Sequence, residues 1–96
     1  MYLNQTEAYK TAHITTQTTT LVKTGSGFLH AITINTPLAT GTITIDDALT
    51  ATTPTLAIIT VPASPMPLTV IYDIPFTIGL TIVTGTATQD ITVSYI

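Results

Sequence analysis

The sequence predicts an all-β protein: an antiparallel β-sandwich of about eight short strands, with a jelly-roll or immunoglobulin-like arrangement. Threonine fills 25 of the 96 positions and mostly alternates with isoleucine, valine or leucine, as at residues 42–45. A period of two places apolar side chains on one face of a strand and hydroxyls on the other. Strand candidates that recur every eight to twelve residues, with turn residues between them, are typical of sandwiches rather than of βαβ units.

Eight segments carry this pattern in chain order. They are residues 13–17, 19–23, 28–36, 41–46, 56–61, 68–72, 77–84 and 90–95. Turn-forming residues separate them, including Gly25 and Gly27, Pro37, and a proline-rich stretch at 62–67. We therefore expect residues 12–96 to form one sandwich domain. Residues 1–11, which show no clear period, are expected to form an N-terminal arm or lead-in.

The apolar positions of these strands predict the hydrophobic core. The expected core residues are Phe28, Ile32, Ile34, Ile43, Ile45, Leu56, Ile58, Leu68, Val70, Ile78, Leu80, Ile82, Ile91 and Val93. Some strands are apolar on both faces, although one face of each strand in a two-layer sandwich should meet water. The additional apolar residues are expected to tuck under loops or to meet another subunit, and they are Ile59, Ile71, Val83 and Ile96.

The size of the chain predicts a single domain that needs reinforcement. A domain of this length buries roughly 60–65% of the surface that its unfolded chain exposes, so a lone monomer is only marginally stable. Small domains usually gain stability from disulfides, a bound metal or oligomerisation. The chain has no cysteine, which excludes disulfides and thiolate metal sites. Oligomerisation, or docking on a larger assembly, is the expected reinforcement.

The charge of the chain argues against nucleic acid and membrane partners. Its net charge is −3, and Lys10 and Lys23 are its only basic residues apart from histidine. Phosphate-binding surfaces need clustered lysine and arginine, and so does attraction to anionic membranes. No signal peptide or spanning helix is expected, because no apolar run is long enough.

No residue pattern predicts catalysis or a metal or cofactor site. His13 and His30 lack a carboxylate at useful local spacing and are expected on polar strand faces or hydrogen-bonded at a sheet edge. The pair Asp46 and Asp47 lacks EF-hand spacing, so a turn is favoured over a calcium loop. Ser26 lies in a Gly-Ser-Gly turn without the flanking pattern of a nucleophile elbow. The protein is expected not to be an enzyme.

Two stretches carry motifs of turn and core positions. Residues 22–32 read VK-x-G-x-G-x-LH-x-I, and residues 72–82 read YD-x-x-F-x-x-GL-x-I, followed by a short last strand. In this order the chain resembles small virion structural proteins of tailed bacteriophages, of the head-decoration or head-fibre type. The resemblance covers residues 21–96. It departs at residues 46–54, where a Gly/Ser-rich hairpin would be expected, so no role of that loop carries over.

The resemblance implies a non-enzymatic capsid decoration or cement protein that binds the major capsid protein shell and stabilises it. Its expected location is the outer capsid surface of the virion, after synthesis in the host cytoplasm. Capsid lattices offer local threefold sites, so a homotrimer is expected first, with a dimer as the alternative. Within the N-terminal arm, Tyr2, Leu3 and Tyr9 are the candidate contacts to the capsid or to a neighbouring subunit.

A second interpretation is a host-surface or glycan-binding module on a phage fibre or tail. Sugar sites usually combine exposed aromatic rings for stacking with Asp, Asn or Arg for hydrogen bonds. The chain has no tryptophan, and only Tyr2, Tyr9 and Tyr95 are candidates for exposed rings. The decoration interpretation is therefore favoured.

Overall fold

A computed structural model describes residues 9–96 as eight strands in two packed antiparallel sheets. The strands are β1 (Lys10–Ile14), β2 (Thr19–Thr24), β3 (Gly27–Thr36), β4 (Thr42–Asp46), β5 (Thr55–Thr60), β6 (Leu68–Phe76), β7 (Gly79–Gly85) and β8 (Asp90–Tyr95). Residues 9–96 contain no helix. The all-β sandwich expected from the alternation of threonine with branched apolar residues is confirmed.

The strand order is that of a jelly roll. The first sheet has the order β1-β8-β3-β6 and the second sheet the order β2-β7-β4-β5. Four nested antiparallel pairs result, β4 with β5, β3 with β6, β2 with β7, and β1 with β8. A long antiparallel ribbon folded over on itself gives this nesting, and the β3–β8 and β4–β7 pairs complete the sheets. Immunoglobulin domains divide their strands differently.

Three strands differ from their expected bounds by two residues or more, and the structure gives a reason for each. The first strand lies about three residues earlier than expected, because β1 pairs with β8 from Lys10 opposite Tyr95 to Ile14 opposite Ile91. Strand β6 extends to Phe76, because its last residues pair with the start of β3. Strand β7 begins only at Gly79, because the two preceding residues form a bend.

The core lies between the two sheets and consists mainly of branched apolar side chains. Eight of the expected core residues are buried, namely Ile32, Ile34, Ile43, Ile45, Leu80, Ile82, Ile91 and Val93. Ile14, Leu29 and Phe76 complete the buried cluster, and Ile59, Val22 and Tyr72 are among the partly buried residues that pack against it.

The expected core positions Ile58, Leu68 and Ile78 are wrong, since these side chains are 61%, 43% and 48% exposed. In β5, the inward positions are those opposite Ile43 and Ile45 of β4, and these are Ile59 and Ala57. Ile58 therefore points outward, as the period of two requires. A run that is apolar at every position does not reveal which of its two faces is inside.

The expected core positions Phe28, Leu56 and Val70 are only half-buried. For Phe28 the cause is a register shift between Leu29 and Ala31 in the pairing of β3. Strict alternation from Ile32 would turn residue 28 inward, but the irregularity turns Leu29 inward instead. A one-residue shift exchanges the two faces of a strand, so everything before it changes side.

Candidate functional site

The outer face of the first sheet carries a continuous set of short polar side chains. Strand register aligns one row across all four strands, formed by Thr69, Thr33, Thr92 and His13. The next row in the same register is formed by Ile71, Ala31, Ser94 and Thr11. Within the first row, the hydroxyls of Thr33 and Thr69 lie 3.1 Å apart and share a hydrogen bond. We call these two rows, with the residues at their ends described below, the first-sheet face.

One end of the first-sheet face holds a His–Asp pair. His13 Nε2 donates to Asp90 Oδ1 at 2.6 Å. Asn35 Nδ2 donates to the same oxygen at 3.0 Å and also to the hydroxyl of Thr92 at 3.0 Å. The hydrogen bonds from His13 and Asn35 hold the pKa of the Asp90 carboxyl group below its usual value. The negative charge of Asp90 is thus stabilised by hydrogen bonds from His13 and Asn35, which lie on the same face.

Replacing His13 by glutamine is expected to raise the pKa of Asp90 toward its usual value, because the largest contribution to its lowering is the bond from His13. The measurement is an NMR titration of the Asp90 carboxyl carbon in the parent protein and in His13→Gln. His30→Gln, which changes the other histidine of the face, is the matched control and should leave the Asp90 titration unchanged. An unchanged midpoint in His13→Gln would show that the imidazole of His13 is not what lowers the pKa of Asp90 in solution.

The other end of the first-sheet face holds a second His–Asp pair. His30 Nδ1 donates to Asp73 Oδ1 at 2.6 Å, and the Tyr9 ring stacks on His30 with centroids 4.2 Å apart and an interplanar angle of 12°. Asp73 has a φ of 51°, in the left-handed region that aspartate tolerates better than most residues. Tyr72 and Asp73 of β6 both lie opposite His30, which makes a β-bulge at this point. The bulge turns the side chain of Asp73 toward His30.

The candidate contact residues of the N-terminal arm lie partly within the described chain. Tyr9 is 42% exposed and lies beside His30 at the end of the first-sheet face. Tyr2 and Leu3 lie outside the described residues. Lys10 and Thr11, expected in the arm, belong to strand β1.

A second feature lies on the outer face of the other sheet, where residues 47–54 fold back over the strands. Asp47 anchors this loop, because its carboxylate accepts hydrogen bonds from the N–H groups of Thr77, Ile78 and Gly79 at 2.8–3.3 Å. The Thr77 hydroxyl also donates to it. The hydroxyl of Thr81 donates to the carbonyl of Ala48 at 2.7 Å, which ties the loop to β7.

These contacts determine the ionisation of Asp47. Burial by itself raises the pKa of its carboxyl group, but the hydrogen bonds from Ile78, Thr77 and Gly79 outweigh that effect and leave the pKa lowered. Asp47 is therefore a structural anion. The sequence predicted a strand that ends at residue 46 and a turn at the two aspartates, and in the structure Asp46 ends β4 while Asp47 begins the bend.

Between this loop and the strands lies a groove with a volume of about 330 Å³. We call it the threonine groove. Its lining consists of Thr44, Asp46, Ala51, Thr52, Thr53, Thr55 and Val83. Among the described residues that line it, Asp46 is the only titratable one, and Thr55 Oγ1 donates to Asp46 Oδ1 at 2.7 Å. The loop that forms its outer wall is the one at which the chain departs from the phage resemblance.

Neither feature gathers a metal-binding set. Within residues 9–96, no three or more His, Asp or Glu side chains lie together in a way that would hold a metal ion. The same part of the chain has no helix that is long and apolar enough to cross a membrane. Comparison with protein-family models, with curated proteins and with solved structures finds no match to this chain.

Sequence reasoning missed both features for the same reason. The two His–Asp pairs join residues 77 and 43 positions apart, so only the strand order brings them together. The threonine groove depends on a loop whose residues look like an ordinary turn. One signal was available: two adjacent aspartates are conspicuous in a chain with only seven Asp, Glu, Lys and Arg residues.

Proposed function

We propose that this protein is a non-enzymatic decoration protein that binds the major capsid protein shell of a phage head through the first-sheet face. The observation that carries the proposal is the face itself. It combines rows of hydroxyl and small apolar side chains with acids that are already hydrogen-bonded to histidines of the same face. Such a surface offers little net charge to a partner and many neutral hydrogen-bonding groups.

This chemistry suits repeated binding on a symmetric shell. Contacts that do not depend on ion pairs are only weakly screened by salt. Each copy needs only modest affinity, because linked copies bind with much higher avidity when their sites match those of the lattice. Ile71, which is 63% exposed in the second row, supplies an apolar contact within the polar face. Tyr9 extends the face at one end and connects it to the N-terminal segment.

Self-association is part of the proposal. Strands β5 and β6 end their respective sheets, and both carry strongly exposed apolar side chains, Ile58 and Leu68 among them. An open edge with exposed apolar residues is a template for pairing with another chain. A homotrimer at a local threefold site of the capsid is the proposed assembly, and a dimer is the alternative. The mass of the purified protein in solution distinguishes these states.

Replacing Thr33 by lysine is expected to reduce co-sedimentation with empty capsids by about tenfold or more, because it places an unpaired charge in the middle of the first-sheet face. Ser64→Lys, at an exposed position of the loop between β5 and β6 and outside both the first-sheet face and the open edges, is the matched control and should bind like the parent protein. Equal binding of Thr33→Lys and the parent would remove the first-sheet face from the proposal. Loss in both variants alike would point to a non-specific effect of charge.

A further inference from the structure

The threonine groove contains a nearly buried carboxylate, that of Asp46, and only one of its two oxygens accepts a hydrogen bond from the described chain. Asp46 is only 3% exposed, yet the single hydrogen bond of its side chain within residues 9–96 is the one from Thr55 to Oδ1. No fully buried side-chain oxygen or nitrogen in the described chain lacks a partner. The second carboxylate oxygen of Asp46, Oδ2, must therefore be the part that remains accessible, and this side chain lines the groove. A nearly buried carboxylate with a free acceptor is costly unless something donates to it.

The other residues that line the groove indicate which kind of ligand could donate hydrogen bonds to the Asp46 carboxylate. Thr44, Thr52, Thr53 and Thr55 carry hydroxyls that can accept a hydrogen bond, and those of Thr44, Thr52 and Thr53 can also donate one, whereas Thr55 already donates to Asp46. Val83 and Ala51 contribute small apolar surfaces. No lysine, arginine or histidine lines the groove, so an anionic ligand would meet an uncompensated carboxylate. Calcium is also disfavoured, because it takes six to eight oxygen ligands and the groove holds one carboxylate.

A neutral sugar fits this combination. Sugar hydroxyls donate to a carboxylate and exchange hydrogen bonds with other hydroxyls. None of the described residues that line the groove is aromatic, so the C–H surface of the ring would pack on Val83 and Ala51 instead of stacking on an aromatic ring. A volume of about 330 Å³ is at the lower end of the range for small-molecule sites, which suits a single ring rather than an extended chain. The loop is held in place by Asp47 and by the bond from Thr81 to Ala48, so the groove is largely preformed.

We propose that the threonine groove binds one neutral sugar unit, with Asp46 accepting hydrogen bonds from sugar hydroxyls. This site is separate from the first-sheet face, since none of its lining residues belongs to the first sheet. It does not depend on the proposed capsid function. A decoration protein with such a site would present a glycan-binding position on the side away from the shell.

The test is an NMR titration of the full-length ¹⁵N-labelled protein with galactose, glucose and N-acetylglucosamine at millimolar concentrations. At least one sugar is expected to give saturable shifts at the amides of Thr44, Val83 and the loop from Ala51 to Thr55. Ala51→Phe, which fills the groove from an exposed loop position, should weaken binding by about tenfold or more. Ala63→Phe, the same change in another exposed loop, is the matched control and should bind like the parent.

Several results of this titration would contradict a sugar site in the groove. The absence of shifts with all three sugars, shifts outside the groove, or undiminished binding by Ala51→Phe would overturn the proposal. Shifts at the groove with choline or calcium chloride but not with the sugars would replace it with a cation site. Thr33→Lys should bind sugar normally, so a failure of capsid binding and a failure of sugar binding are separately visible.

Discussion

Replacement of Asp47 by alanine is expected to lower the free energy of unfolding by about 3 kcal/mol. The variant leaves the N–H groups of Thr77, Ile78 and Gly79 without their acceptor and frees the 47–54 loop from the start of β7. Bonds to a charged acceptor are the stronger kind, and small domains have only about 5–15 kcal/mol to lose. Urea unfolding of the variant and the parent measures the difference. Thr50→Ala, on the exposed part of the same loop, is the control and should remain within about 0.5 kcal/mol of the parent.

The same carboxylate makes stability depend on pH in a defined direction. Because the pKa of Asp47 is lower in the folded protein than in the unfolded chain, its contribution is complete above the usual carboxyl pKa. That contribution is lost as the pH falls through the lowered folded pKa. Asp47→Asn should therefore show a weaker loss of stability than the parent in this acidic window. Parallel curves for the parent and Asp47→Asn would contradict the assignment of Asp47 as a structural anion.

Replacement of Ile43 by alanine is expected to cost about 3 kcal/mol, within the range found for large-to-small changes in buried cores. Ile43 is fully buried in β4 and lies opposite Ile59 of β5. At protein concentrations where the chain is monomeric, the identical change at Ile58, one residue before Ile59, should cost no more than about 0.5 kcal/mol because that side chain is 61% exposed in the single chain. Urea unfolding of both variants gives the comparison.

The pair of variants also tests the orientation of β5. If Ile58 faced the core and Ile59 faced outward, as the sequence had suggested, Ile58→Ala would be the costly change on that strand. Comparable losses in Ile43→Ala and Ile58→Ala would therefore contradict the register of β4 and β5. A large loss in the first and almost none in the second agrees with it.

The alternation of threonine with isoleucine was sufficient to predict the class of fold and most of the core. In β4 and β8 each apolar residue has polar neighbours, and Ile43, Ile45, Ile91 and Val93 are buried as expected. The prediction failed where the alternation is absent or interrupted. Residues 56–59 are apolar throughout, so the sequence does not say which face is inside. The irregularity of β3 near Ala31 depends on pairing with β6 and β8 and leaves no local pattern.

The candidate sites were less accessible from the sequence, because each depends on contacts between distant strands. His13 and Asp90 meet only because β1 and β8 are neighbours, and His30 meets Asp73 only because of a bulge in β6. Gln89 is another residue whose role depends on a contact that is distant in the sequence. It lies in the connection between β7 and β8, yet it is fully buried, and its side-chain amide accepts a hydrogen bond from the N–H of Leu38 and donates one to the carbonyl of Leu38, both at 2.8 Å.

The nested pairing of strands has a consequence for the order in which the protein can fold. Only the innermost pair, β4 with β5, is joined by a short connection, and each pair outside it closes a longer loop of chain. Closing longer loops costs more entropy, and folds dominated by distant pairings form slowly, in milliseconds to seconds. Strands β7 and β8 occupy interior positions of the two sheets. During synthesis, neither sheet can therefore be completed until almost the whole of residues 9–96 has left the ribosome. Until β7 and β8 emerge, strands β1 and β2 have no partner, and β3 and β4 are each paired on one side only.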